Sequence, residues 1–218
     1  MKIFLRIAIL VLTCVTALLL GDPGRASELA VILLNPANWG ADWQIKVNHG
    51  KPEISSFADG SGSCLHLRSH KSSFAVERGV DVDPYEQRYL TWRWKVTELP
   101  EGGDFRHAGT DDEAAQILVA FADRRILSYI WDSSAPKGIM QNASSIPLVH
   151  IFAVVCESGA ADMNRWIPEA RDIAADYERA YGKAAPHVKG LRIQINSQHT
   201  GTTAESYFGE VAFRNKPQ

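Results

Sequence analysis

The chain has 218 residues, of which 45% are hydrophobic and 22% are charged, and its 23 basic and 25 acidic side chains give a net charge of −2. No basic stripe or Lys/Arg cluster is visible, so the sequence predicts no nucleic-acid partner. Beyond the N-terminal region, no apolar run is long enough to span a bilayer.

Residues 1–26 have the layout of a secretory signal peptide. Lys2 and Arg6 provide the positive start, and 7–20 form an apolar core that is short for a membrane span. Small residues occupy the last and third-last positions before a predicted cut ahead of Ser27. We therefore expect a periplasmic or secreted protein, with an uncleaved N-terminal anchor as the alternative.

The mature chain, 27–218, fits a single domain. It keeps 20 basic and 24 acidic side chains, because the leader contains three basic residues and one acidic residue. Two cysteines remain, Cys64 and Cys156. An oxidising compartment permits a disulfide between them, whereas two separate small hydrophobic residues are the alternative, and the sequence leaves both open.

Short runs with period-two alternation predict β-strands along most of this domain, because every second side chain then faces the core. Gly, Pro, Asp and Ser separate the runs, which favours an antiparallel sandwich. In chain order the predicted strands are CLHLRS (64–69), LTWRWKV (90–96), AAQILVAF (114–121), ILSYIW (126–131), LVHIFAVV (148–155), LRIQIN (191–196) and SYFGEVAF (206–213).

The strand LTWRWKV shows what this pattern implies. Trp92 and Trp94 share a face with a leucine and a valine, so they are predicted to be core residues and not a sugar-stacking platform. Arg93 and Lys95 occupy the opposite face. That face either contacts a ligand or is simply the solvated side of a sheet.

One segment is predicted to be helical. Pro168 suits a first helical turn, Gly182 suits a C-terminal stop, and Ile173 and Tyr177 fall at helical spacing. The predicted fold is therefore mainly β, an antiparallel jelly-roll-like sandwich of the lectin or carbohydrate-binding-module kind, with one helix near 168–181.

Several segments together resemble a family of exported bacterial proteins, domain of unknown function 3047. They are LTWRWKVTELPEGGD, DDEAAQILVAF, YIWDSS, RWIPEARDIAADYERAYG and HTGTTAESYFGEVAF, in the expected order over roughly residues 40 to 214. The resemblance implies an exported single-domain sandwich of the kind that binds glycans, but it implies no activity. The family pattern usually has Arg where Gln116 stands here.

An acidic loop precedes the predicted strand 114–121. Asp104, Asp111 and Asp112 are oxygen ligands of the type that hard cations such as calcium take, so a calcium site is one hypothesis; otherwise no cofactor is expected. The spacing does not match a twelve-residue calcium loop. The alternative is that Asp111 and Asp112 cap a turn and pair with Arg106 or a neighbouring base.

No nucleophile elbow, phosphate loop or histidine-rich metal spacing is present. Paired carboxylates could catalyse glycoside hydrolysis, for which Asp112, Glu205 and Glu210 are candidates. A polysaccharide lyase would need a base beside a group that neutralises the substrate carboxylate. A polysaccharide-active enzyme of the cell envelope, a lyase or a hydrolase, is therefore the alternative function, and a structural role in an envelope complex is a third.

The first hypothesis is a non-catalytic sandwich that binds a glycan, another cell-envelope component or a small ligand. Planar amides, arginine and exposed aromatic rings commonly hold sugar hydroxyls, and the polar loop 196–206 links two predicted strands. Trp166 is a further stacking candidate beside Trp131. The predicted ligand-binding residues are Arg93, Lys95, Gln116, Tyr129, Trp131, Arg192, Gln194, Asn196, Gln198 and His199.

Overall fold

The computed structural model describes residues 30–60, 62–143 and 150–217, so the predicted signal peptide lies outside the described residues. The strands are β1 (Ala30–Leu34), β2 (Gln44–His49), β3 (Glu53–Asp59), β4 (Gly62–His70), β5 (Ser73–Val82), β6 (Tyr89–Glu98), β7 (Ala115–Phe121), β8 (Arg125–Asp132), β9 (Met140–Asn142), β10 (His150–Ser158), β11 (Ile167–Asp172), β12 (Val188–Asn196) and β13 (Thr203–Arg214). The helix α1 is Ile173–Tyr181, and a 3-10 turn spans Trp39–Ala41.

These strands form two sheets. Sheet I has the order β11–β6–β13–β4–β3, and β1 pairs with the second half of β13. Sheet II has the order β2–β5–β12–β7–β8–β10–β9. Both sheets turn their apolar faces toward one shared core, which leaves each sheet an outer face of its own.

The two tryptophans of β6 lie in this core, as predicted. Trp92 is 3% exposed and Trp94 is 0% exposed. The rings of Trp94 and Trp131 meet edge to face with centroids 6.0 Å apart, which joins sheet I to sheet II. Phe208 packs against Trp94 from the neighbouring strand β13. The alternation of β6 therefore directs Arg93 and its polar neighbours away from the core.

The helix begins later than predicted. Pro168 belongs to β11, the edge strand of sheet I, where a residue without an N–H group is tolerated. Asp172 then caps α1 by accepting a hydrogen bond from Ala175 N at 3.0 Å. The helix stops at Gly182, whose φ of 67° is left-handed, as the sequence predicts for a C-terminal glycine.

The predicted fold class is confirmed: a mainly β, two-layered jelly-roll-like sandwich with one helix. All seven predicted strands are present, except that residues 148 and 149 lie outside the described part of the chain. One detail differs, since β10 runs parallel to β8 and the sheet is mixed. In the parts of the chain that the structure covers, no helix is long and apolar enough to cross a membrane.

The two cysteines lie in different sheets. Cys64 is on β4 and Cys156 is on β10, and both are buried. They are not joined by a disulfide. Of the two alternatives that the sequence leaves open, the structure has two separate buried thiols.

A polar cluster closes the sandwich at the edge where β11 faces β10. Burial, together with the nearby charge of Glu157, raises the pKa of the Glu169 carboxyl to about 7, whereas Lys137 and Arg171 act in the opposite direction. Lys137 Nζ lies 2.5 Å from Glu157 Oε1. The sandwich therefore holds one carboxyl group that favours its proton up to neutral pH.

This carboxyl group makes stability pH-dependent. The folded protein binds the Glu169 proton more tightly than the unfolded chain, where the pKa is 4.5, so unfolding releases a proton above that pH. This group should lower the free energy of unfolding by roughly 2 to 3 kcal/mol as the pH rises from about 4.5 to about 8. In urea unfolding, Glu169→Gln should show a fall that is smaller by this amount, although the raised pKa of the buried Glu113 leaves a fall of its own, and Glu53→Gln, at an exposed position on β3, should retain the whole fall. A fall that persists unchanged in Glu169→Gln would contradict the assignment.

Candidate functional site

The predicted ligand-binding residues lie in three different places. Gln116, Arg192, Gln194 and Asn196 lie on the outer face of sheet II, and Gln198 and His199 follow in the loop after β12. Arg93 and Lys95 lie on the outer face of sheet I, and Tyr129 and Trp131 lie in the core. The structure therefore brings six of the ten residues to one side of the molecule.

Tyr129 and Trp131 require a correction, because both are 0% exposed. The Tyr129 hydroxyl donates to Asp176 Oδ2 at 3.0 Å, and Trp131 Nε1 donates to Gly159 O at 3.1 Å. Both side chains share the inward face of β8 with Leu127, in accord with the alternation of that strand. Their positions make them packing residues, so they do not contact a ligand at the surface.

Arg93 and Lys95 point outward as predicted, but on the other sheet. The Arg93 guanidinium lies 4.6 Å from the ring centre of Trp166, and the Lys95 ammonium lies 5.1 Å from the same ring. Lys95 also lies 4.6 Å from the ring of Tyr207. These two cations belong to a surface separate from the one that carries Gln194.

A groove crosses the outer face of sheet II. Its larger part is a cavity of about 500 Å³, and a smaller cavity of about 110 Å³ continues it; Leu118 and Ile151 line both. The strand register explains this continuity, because Gln194 pairs with Gln116 while Arg192 pairs with Leu118 on the neighbouring strand. The predicted residues of β7 and β12 thus share one concave surface.

The groove has polar groups along its β5–β12 side. Arg192 donates to Glu77 Oε2 through Nη2 at 2.5 Å and through Nε at 3.1 Å. Gln44, on the edge strand β2, is exposed beside this pair. The half-buried Gln194 makes no side-chain hydrogen bond to any residue in the described parts of the chain, so its amide is available to a ligand.

A pair of buried amides closes one end of the groove. Gln116 Nε2 donates to Glu113 Oε2 at 2.6 Å and to Asn196 Oδ1 at 2.5 Å. Asn196 also accepts from Glu113 N and donates to the carbonyl of Asp111. Gln116 and Asn196 are each 5% exposed, so they position the end of the groove and leave ligand contact to their neighbours.

Glu113 belongs to the acidic loop, but it is not among the residues that the sequence analysis assigns to the site. It is 3% exposed and lines the smaller cavity. Burial, and then the charge of Asp111, raises the pKa of Glu113 well above its ordinary value. A protonated carboxyl group here can donate a hydrogen bond. The acidic run 111–113 is visible in the sequence, but its burial depends on long-range packing.

The loop after β12 is fastened to the acidic loop. Asp112 is 0% exposed and accepts hydrogen bonds from His199 N at 3.2 Å and from Thr200 N at 2.6 Å. The His199 ring lies within 2.9 Å of the carbonyl of Asp111. Gln198 contacts the same ring. Gln198 and His199 therefore sit on a braced loop at the end of the groove.

The predicted metal ligands are used otherwise. Asp104 accepts from Arg106 at 2.6 and 2.8 Å, and this ion pair lowers the pKa of Asp104. Asp112 is occupied by backbone N–H groups, and the carboxyl of Asp111 lies beside Glu113. Within the described segments, no three His, Cys, Asp or Glu side chains are grouped to hold a metal ion. The residues present therefore do not fit a calcium site. Asp112 accepts from backbone N–H groups as the alternative expects, whereas Arg106 pairs with Asp104 and not with Asp111 or Asp112.

The predicted hydrolase carboxylates are divided between the two sheets. Glu205 lies on sheet I, where it contacts His66 at 2.8 Å, and Glu210 pairs with Arg214 on the same strand. Asp112 lies at the end of sheet II. A pair of carboxyl groups that hydrolyses one glycosidic bond must flank it on a single surface, and Asp112 does not share a surface with Glu205 or Glu210.

The geometry defines a two-sheet sandwich with an open, partly apolar groove on one outer face. Residues 38–212 match the family described as "Protein of unknown function (DUF3047)", and the chain belongs to this family, as its motifs predict. No curated protein sequence matches the chain.

Many solved structures resemble this chain, and they include the following three. The enzymatically active domain of tailspike protein 4 from bacteriophage CBA120 is 7% identical with a TM-score of 0.41, over 80% of this chain and 19% of that chain, so the present chain spans about a fifth of its length. The xyloglucanase domain of NopAA from Sinorhizobium fredii is 8% identical with a TM-score of 0.48, over 79% and 94%. A family 11 carbohydrate-binding module from Clostridium thermocellum is 8% identical with a TM-score of 0.42, over 84% and 94%. The neighbours thus include carbohydrate-binding modules and glycoside hydrolases, but such low scores support no functional argument.

The hydrogen bonds from the loop after β12 to Asp112 can be tested directly. Asp112→Ala removes the acceptor of two backbone N–H groups, and we expect a loss of about 3 kcal/mol in the free energy of unfolding. Hydrogen exchange at the amides of His199 and Thr200 should accelerate at the same time. The control is Asp162→Ala, which breaks an exposed pair with Arg165 and should cost less than about 1 kcal/mol. Unchanged exchange at both amides would show that the loop is held by other contacts.

Proposed function

We propose that the groove of sheet II binds a glycan or a similarly hydroxylated small ligand, without catalysis. The carrying observation is that the concave surface combines an open side-chain amide, Gln194, with an Arg192–Glu77 ion pair and an aliphatic floor that includes Leu118. A sugar presents hydroxyl groups at its edges and C–H groups on its faces, so it needs both kinds of contact.

The polar groups are held in place before a ligand arrives. Arg192 is fixed by two hydrogen bonds to Glu77, and the end of the groove is braced by Gln116 and Asn196. Side chains that are already ordered lose little conformational entropy when they bind a ligand. This supports a binding site over a merely solvated sheet face.

The enzyme alternative would have to use carboxyl groups that line the groove, which are Asp111 and Glu113 in the smaller cavity and Glu77 and Asp42 in the larger one. Glu113 Oε2 already accepts from Gln116 Nε2 and Asp111 lies on the same loop, whereas Glu77 and Asp42 are held in ion pairs with arginines. A glycosidase needs a second carboxyl group on the opposite side of the scissile bond. Binding therefore explains the arrangement with fewer assumptions than hydrolysis does.

Gln194 is the side chain whose loss should weaken binding most selectively. Gln194→Ala removes an amide donor and acceptor, and we expect calorimetry to show about a three- to tenfold weaker affinity for the best ligand found on a glycan array or among cell-wall fragments. Gln87→Ala removes an amide of the same kind in the β5–β6 turn, lines neither cavity and should leave affinity unchanged. No binding by the wild-type protein, or an equal loss of affinity in the two variants, would contradict the proposal. Release of shortened products from the glycan would favour the enzyme alternative.

We place this function outside the cytoplasm, with a glycan or another cell-envelope component as the partner. The support is the positive start at Lys2 and Arg6, the apolar run that follows, and the small residues ahead of Ser27. When the full chain is expressed in a bacterium, N-terminal sequencing should find Ser27 first in the periplasmic fraction or the medium. Ala26→Arg should block this cleavage. Recovery of the uncut chain from the cytoplasm in the unaltered protein would contradict export.

A further inference from the structure

The groove of sheet II has two chemically different ends. The smaller cavity is the amide end, lined by Gln194, Asn196 and Gln116. The larger cavity, of about 500 Å³, is called the aliphatic half because apolar residues from five strands line it, together with two ion pairs, Arg192–Glu77 and Arg78–Asp42, and the amide of Gln44. The outer face of a two-layer sandwich is usually polar because it meets water, so an aliphatic half on this face requires an explanation.

One continuous row of apolar residues crosses five strands in the aliphatic half. The register joins Gly79 to Gly190, Gly190 to Ala120, Ala120 to Ile126, and Ile126 to Ile151. Every member of this row lines the cavity. The two isoleucines form one end of the row, and the two glycines leave the other end open.

The backbone itself does not require these glycines. Neither Gly79 nor Gly190 has a positive φ. A Cβ added at Gly79 would meet nothing within 4 Å, and one added at Gly190 would meet only ordinary contacts at 3.7 Å. Larger side chains would fit the fold but would occupy the cavity. The open space is therefore a property of the groove and not a consequence of local packing.

The lining of this half does not suit a stacked sugar ring. Of the described residues that line it, none is Trp, Tyr or Phe, so no aromatic face is available. Ile126, Ile151 and Leu118 instead offer a flexible aliphatic surface, which gains free energy by removing methylene groups from water. A linear apolar chain matches such a surface better than a rigid ring does.

We propose that the groove selects a sugar or polyol that carries an alkyl or acyl chain. The chain occupies the aliphatic half, and the hydroxylated head lies toward Gln194 at the amide end. The Arg192–Glu77 and Arg78–Asp42 pairs line the aliphatic half as two ion pairs without net charge, so the site needs no charged head group. This inference rests on the proposed function, and it adds that the sugar ligand carries an alkyl or acyl chain.

The test uses hexyl, heptyl and octyl glucosides below their micelle concentrations, with calorimetric titration into the full mature chain. Affinity should rise by about fourfold for each added methylene group. In Gly79→Leu the leucine fills the cavity, so the chain-length dependence should disappear and octyl glucoside should bind more than about tenfold more weakly. Binding of a glycan without a chain should be retained in this variant.

The matched control is Gly109→Leu, because Gly109 also has open space around its Cβ position but lies in the loop between β6 and β7. This variant should behave as the unaltered protein does. Equal affinity across the three glucosides, while an unsubstituted glycan still binds, would overturn this inference alone. Absence of binding to every glycan and glucoside would overturn the proposed function as well. Equal binding of octanoate and octyl glucoside, unaffected by Gln194→Ala, would show a chain site without sugar recognition and would overturn both.

Discussion

The burial of the two β6 indoles is the constraint on which the rest of the structure depends. Trp94 contacts Trp131 across the core and Phe208 on the neighbouring strand, so it fixes both the spacing of the sheets and the register of sheet I. A strand has a side-chain period of two, so a slip of one residue would move both indoles into water and Arg93 into the core. The burial of the two indoles therefore determines which side chains of β6 lie on the outer face of sheet I.

The sequence predicts strands well where both the alternation and the burial are strong. β6, β7, β8 and β12 are of this kind, and each was predicted. β5 was not, although it lies between β2 and β12 in sheet II, because its inward pattern at Phe74 and Val76 is followed by the charged pair Glu77 and Arg78. β2 was also missed, since it is an edge strand with no buried side chain to mark a period. Pro168 was assigned to a helix because a first-turn proline and an edge-strand proline look alike in sequence.

For the candidate site, the local sequence predicts the direction of a side chain but not the sheet to which its strand belongs. The outward direction of Arg93, Arg192 and Gln194 follows from alternation alone, but alternation cannot say which sheet a strand joins. That information lies in the pairing of distant strands, and it separates Arg93 from the other two. Tyr129 and Trp131 could have been placed correctly, since they alternate with Leu127 in a strand already recognised. Their aromatic rings had suggested a ligand platform, and the period outweighs that suggestion.

The braced end of the groove shows how one residue type changes the local electrostatics. Gln116 places an uncharged amide beside the Glu113 carboxyl group. A guanidinium in this position would hold Glu113 as a carboxylate through an ion pair, whereas an amide supplies hydrogen bonds but no charge. Burial then dominates, which raises the pKa of Glu113 and favours its protonated form. The groove of this chain thus ends in amide and carboxyl groups without a cation, and such groups suit a hydroxylated ligand better than an acidic one.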